Sequence, residues 1–115
     1  MVPAPKSSLT ELRRGVLPFC VLAALRGGEA YAFDLVRSFS TAELLTSEGT
    51  IYPLLARLRR DEWVTTSWRE SEAGPPRRYY RMTDRGNEAL EAFATEWARF
   101  RDAVDSLMAT EVAGG

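Results

Sequence analysis

The chain has 115 residues, 45% apolar and 27% charged, with no histidine, one cysteine and a net charge of −1. That balance suits a single packed domain rather than a disordered chain. Without His or a second Cys there is no disulfide, zinc site, Cys–His pair or Ser–His triad, so neither an enzyme nor a metal or cofactor is expected.

The charge is unevenly spread. Residues 1–50 carry five cations and five anions, residues 51–86 eight arginines against five acids, and residues 87–115 two arginines against six acids. The local field, not the total, steers a polyanion, and the basic third is where a nucleic acid would sit.

Met1 to Ser8, with two prolines and no apolar period, reads as a flexible arm (1–8). Leu9 to Arg26 reads as a helix, with Leu12, Val16, Phe19 and Ala23 along one side and Leu22 and Leu25 beside them. Pro18 requires that this helix either kink or start just before it. Cys20 lies in the apolar run Val16–Leu25 and reads as a small hydrophobe. The run is too short to cross a bilayer, and no small-residue cleavage site follows it, so it reads as core and the protein as cytoplasmic, away from membranes. Gly27-Gly28 closes the segment. Ala30–Phe39 gives a second helix, with Tyr31, Leu35 and Phe39 at four-residue spacing.

A third helix spans Ser47 to Arg60, capped by Thr46 or Ser47. Ile51, Leu54, Leu55 and Leu58 make its buried stripe, while Thr50, Tyr52, Arg57 and Arg60 put hydroxyls and guanidiniums elsewhere, groups that bond phosphates and base edges. Pro53 implies a local distortion in its early turns. Packing over the hairpin is the alternative for Tyr52, and an ordinary solvated face the alternative for Arg57 and Arg60. Val64–Arg69 and Arg78–Met82 alternate as two strands, with Trp63 and Trp68 as hydrophobic anchors and one of Tyr79 and Tyr80 facing inward. Ser71–Pro76 between them reads as a loop longer than two residues, the tip of a wing. Thr83 or Asp84 then caps a last helix running to about Met108. Leu90, Phe93, Ala94, Trp97, Phe100, Arg101, Val104, Leu107 and Met108 form one broad stripe on it, more than three short helices can cover, so a second subunit is expected. Helix followed by hairpin is the order of a winged helix.

The blocks Gly49-Thr50-Ile51-Tyr52-Pro53-Leu54-Leu55-Ala56-Arg57-Leu58 and Arg77-Arg78-Tyr79-Tyr80-Arg81-Met82-Thr83-Asp84-Arg85-Gly86 resemble the PadR family of bacterial transcriptional regulators. The likeness runs from about Leu9 to Met108 and is nearest to the compact branch that includes multidrug-sensing repressors. Two departures stand out. The family usually has Gly after the acid that closes the third helix, where this chain has Glu62, so that helix is expected to end differently; and the usual Gly-Tyr opening of the second helix is replaced by Tyr31-Ala32-Phe33.

The resemblance implies an α+β, mainly α, winged helix-turn-helix (9–86) with a C-terminal dimerisation helix (87–109) and a disordered tail (110–115). It implies a homodimeric repressor on double-stranded operator DNA, with Ser47, Thr50, Tyr52, Arg57, Arg60, Arg77 and Arg78 facing the duplex. Leu12, Leu90, Phe93, Trp97, Phe100, Val104, Leu107 and Met108 would form the dimer interface. In multidrug-sensing members a Trp at the position of Trp97 faces its counterpart across the dimer axis, and planar aromatic effectors slide between the two indoles. Phe93, Trp97 and Phe100 either line such a site here or fill the dimer core. The acidic pI of about 5.5 supports the alternative of a winged-helix protein–protein adaptor that does not touch DNA.

Overall fold

Apolar side chains at helical spacing draw four helices around one end of a small sheet. The computed structural model describes residues 6–42 and 51–109, with side chains from Thr10 onward. The elements are α1 (Lys6–Ala24), β1 (Ala30–Tyr31), α2 (Ala32–Thr41), α3 (Ile51–Arg60), β2 (Val64–Ser71), β3 (Gly74–Met82) and α4 (Asp84–Ala109). The fold is α+β and mainly helical, a winged helix followed by a C-terminal helix. The cap expected at Thr46 or Ser47, the contacts expected of Ser47 and Thr50, and the tail 110–115 lie outside the described residues.

The helix α1 includes Lys6, Ser7 and Ser8, inside the stretch expected to be an arm, and runs unbroken through Pro18, which is fully buried. Its core face is Leu17, Val21, Leu22 and Leu25; Leu12 stays 55% exposed and Val16 half-buried. Of the expected positions Leu22 and Leu25 are in the core and Phe19 and Ala23 pack against it, whereas Leu12 and Val16 are not part of it. The run is apolar nearly all round, so spacing alone does not choose a face. Bonds from Leu25 N to Leu22 O and from Gly28 N to Leu25 O tighten its last turn, and Gly28 then takes φ +123°, open to glycine.

Ala30 and Tyr31, expected to open the second helix, instead form the edge strand β1, pairing with Tyr80 and Tyr79 of β3. The sheet order is β1-β3-β2. Leu35, Val36 and Phe39 of α2 meet Ile51, Leu55 and Leu58 of α3 in the core, joined by Val64, Tyr80 and Leu90. Tyr80 is the inward member of the tyrosine pair. Pro53 lies within α3, the third residue of the helix as described.

The radius of gyration is 17.3 Å, against roughly 13 Å for a compact domain of this length. The 26-residue α4 has its only buried residues, Gly86 and Leu90, in its first two turns.

Candidate nucleic-acid interface

The helix α3 sinks Ile51, Leu55 and Leu58 to 0% exposure and leaves Tyr52, Arg57, Arg59 and Arg60 in solvent. Tyr52 is 48% exposed. Three arginines in the last turn complement the helix dipole as well as presenting positive charge. Arg57 Nε stands 3.9 Å from Asp61 Oδ2 with both side chains about half exposed, a pair too loose to tie up the guanidinium.

The helix ends in the left-handed turn that Glu62 was expected to avoid. Glu62 has φ +63°, and its N–H and that of Trp63 donate to the carbonyls of Arg59 and Leu58 at 3.0 and 2.9 Å, closing a Schellman motif without glycine. Thr83 holds the turn in place. Its hydroxyl donates to the Glu62 carbonyl at 2.7 Å and accepts from Gly86 N–H at 3.0 Å, so Thr83 rather than Asp84 caps α4. One threonine thus joins the end of α3 to the start of α4.

The wing is longer and tighter at its tip than the sequence suggests. Ser71 pairs with Gly74, leaving only Glu72-Ala73 as the turn, with Gly74 at φ +148°. Pro75 and Pro76 lie opposite Glu70 in a bulge, where the ladder needs no proline N–H; the expected longer loop is instead strand.

Strand alternation separates the two wing arginines. Arg78 shares the core-side face with Val64, Tyr80 and Trp68, and its guanidinium lies 4.6 Å from the Trp68 ring centroid; its Nε is covered and makes no hydrogen bond. Trp68 is 61% exposed, so it is not the hydrophobic anchor that half-buried Trp63 is. Arg77 lies on the outer face, over the ring of Tyr31 at 4.9 Å. Sequence reasoning missed the rest of that face: Arg69 lies over Tyr79 at 4.6 Å, and both Arg69 and Ser67 donate to the carboxylate of Glu29. The signal was a two-residue strand, too short for periodicity to register.

Along α4, Leu90 is enclosed by the chain's own core at 3% exposure. Phe93 stacks on Phe19 of α1 at 4.0 Å, with the rings 3° from parallel. Trp97 stacks on Phe93 at 5.9 Å, and Phe100 follows at 6.4 Å. Val104 is half-buried, and beyond the row Phe100, Leu107 and Met108 are 60%, 77% and 81% exposed. A cleft of about 520 Å³ opens elsewhere, between Arg59, Glu62, Thr65, Thr83 and Arg85. Among the described residues no helix is long and apolar enough to cross a membrane.

A family model described as the transcriptional regulator PadR-like family matches residues 21–92, from α1 into the third turn of α4. The chain belongs to this family. Among solved structures, it is similar to a PadR-family transcriptional regulator from Eggerthella lenta (35% identity, TM-score 0.78, covering 91% of this chain and 92% of that one). It is also similar to a PadR-like transcriptional regulator from Bacillus cereus (33% identity, TM-score 0.77, covering 88% and 99%). Bacillus subtilis PadR, solved in complex with operator DNA, shares the fold at 24% identity and a TM-score of 0.63, covering 69% of this chain and 46% of that one. The PadR-like match ends before Phe93, so the aromatic row of α4 lies beyond it.

Proposed function

We propose that this PadR-like regulator is a homodimeric repressor that binds operator DNA through α3 and the wing, and leaves it when a planar aromatic effector binds between the two α4 helices. One observation carries the DNA reading: α3 is fully anchored on one side and offers Tyr52, Arg57 and Arg60 on the other. A rigid basic helix of this kind suits the major groove, with Ser47 and Thr50 preceding it and the wing arginines Arg77 and Arg78 beside it. The shared fold with a PadR solved on operator DNA supports DNA as the partner.

The division of labour follows the chain. Residues 9–86 bind DNA, residues 87–109 dimerise, and 1–8 and 110–115 flank them, in a cytoplasmic protein. Leu12, Phe93, Trp97, Phe100, Val104, Leu107 and Met108 meet a second copy, with Leu90 at the inner end of the stripe. Because PadR-like α4 starts at the Thr83–Glu62 junction, moving the paired helices moves each α3 with them. An effector that stacks on Trp97, between Phe93 and Phe100, and prefers one helix spacing shifts the population toward it. Operator half-sites then lie about 10 bp apart or at a multiple of that distance.

The test is an electrophoretic shift across salt concentrations with Arg57→Ala/Arg78→Ala. Wild type should lose affinity by orders of magnitude between about 50 and 200 mM salt, and the double variant should not bind while remaining dimeric. Normal binding by the variant would remove these two arginines from the interface. No binding by wild type at any salt would favour the adaptor.

A further inference from the structure

The outer face of the wing carries a chain of contacts that α3 does not use. The Glu29 carboxylate accepts from Ser67 Oγ at 3.3 Å through one oxygen and from Arg69 through the other. Arg69 lies over Tyr79, Tyr79 meets Tyr31 at 5.8 Å, and Arg77 lies over Tyr31. These groups belong to two bodies. Ser67, Arg69, Arg77 and Tyr79 are on the hairpin, whereas Glu29 and Tyr31 sit on the segment that runs without a linker into α2 at Ala32. Only two residue pairs of β1–β3 ladder join those bodies through the backbone. At about 3.3 Å per residue the side chains carry the grip roughly 7 Å further toward the tip, to the level of Arg77.

We infer that Glu29 is a positioning residue for sequence-specific DNA binding: it latches the wing to the helix-turn-helix and so fixes where Arg78 and Trp68, on the opposite face, stand relative to α3. The inference rests on the DNA-binding reading above. Its consequence opposes simple electrostatics. Glu29 offsets the charge of Arg69, so removing it makes this surface more positive and by itself strengthens attraction to any duplex. A lost latch instead weakens only the contacts that depend on register.

The experiment uses the full chain, a duplex enriched by wild type from a randomised pool, and a scrambled duplex of the same length. Glu29→Gln should bind the enriched duplex about three- to tenfold more weakly, and the scrambled one equally or slightly more tightly. Hydrogen exchange at hairpin amides and at Tyr31 should quicken by about tenfold, with α1 and α3 amides unchanged. The charge swap Glu29→Arg/Arg69→Glu should restore both readouts. Tighter, unchanged or equally weakened binding of both duplexes by Glu29→Gln overturns the latch, as does unchanged exchange. If wild type enriches no sequence, the DNA-binding reading fails and the latch with it.

Discussion

The backbone of Gly86 presses against the carbonyl of Trp63: a Cβ at position 86 would lie 2.1 Å from that oxygen and 3.0 Å from Met82 Cγ. The start of α4 therefore crosses the turn after α3 at backbone contact, beside the Thr83 bridge. This junction ties the start of the C-terminal helix to the end of the basic helix.

Gly86→Ala forces the two backbones apart. It should cost about 1–3 kcal/mol or more, read as a lower urea midpoint at an unchanged slope. A midpoint equal to wild type would mean that α4 does not approach Trp63 this closely.

Glu62→Gly should act in the opposite direction. Glu62 holds φ +63°, a conformation that costs a residue with a Cβ about 1 kcal/mol and glycine almost nothing. A gain of about 1 kcal/mol in denaturant unfolding is expected. A loss would show that the Glu62 side chain contributes more than its backbone strain removes.

The difference between these two positions marks what could be read from the residues. The buried stripe Ile51/Leu55/Leu58, the hairpin and the helix that follows it were legible because each repeats a period over several residues. The face of α1 was not, since an all-apolar run has no contrast. Nor was β1, whose two residues become a strand only because Tyr79 and Tyr80 are there to pair with. Glu62 ends its helix as glycine would because the bonds to Leu58 and Arg59 and the grip of Thr83 outweigh a penalty visible in the sequence. Arg77 and Arg78 were legible as a basic pair, but their parting onto opposite faces depends on a register set by a bulge at Pro75-Pro76.

Burial pushes the Cys20 thiol up, because the thiolate would be poorly solvated among its apolar neighbours. Alkylation at mildly alkaline pH should be slower in the folded protein than in denaturant. The folded state keeps its proton at pH values where the unfolded chain has lost it. Stability should thus be undiminished below the ordinary thiol pKa and fall as pH rises past it, a decline that Cys20→Ala abolishes. Equal alkylation rates in the folded and unfolded chain would contradict this.

Trp97 stacks on Phe93, which also stacks on Phe19. A planar dye that stacks on Trp97 should quench tryptophan fluorescence; Trp63 is packed against the core, and any quenching at Trp68, 61% exposed on the wing, would survive the loss of Trp97. Trp97→Ala should remove the Trp97 part of the quenching and weaken dye binding by about tenfold, the scale of one lost stacking contact with its buried area. Equally tight binding to the variant would move the effector site off α4.

The claim on which the rest turns is that α4 pairs two copies of the chain. Sedimentation of the full-length protein at low micromolar concentration should give twice the 12.9 kDa chain mass. Phe100→Asp/Leu107→Asp, at positions 60% and 77% exposed in the single chain, should sediment as a folded monomer with an unchanged circular dichroism spectrum. A wild type that runs as a monomer, or a double variant that remains dimeric, would contradict the account.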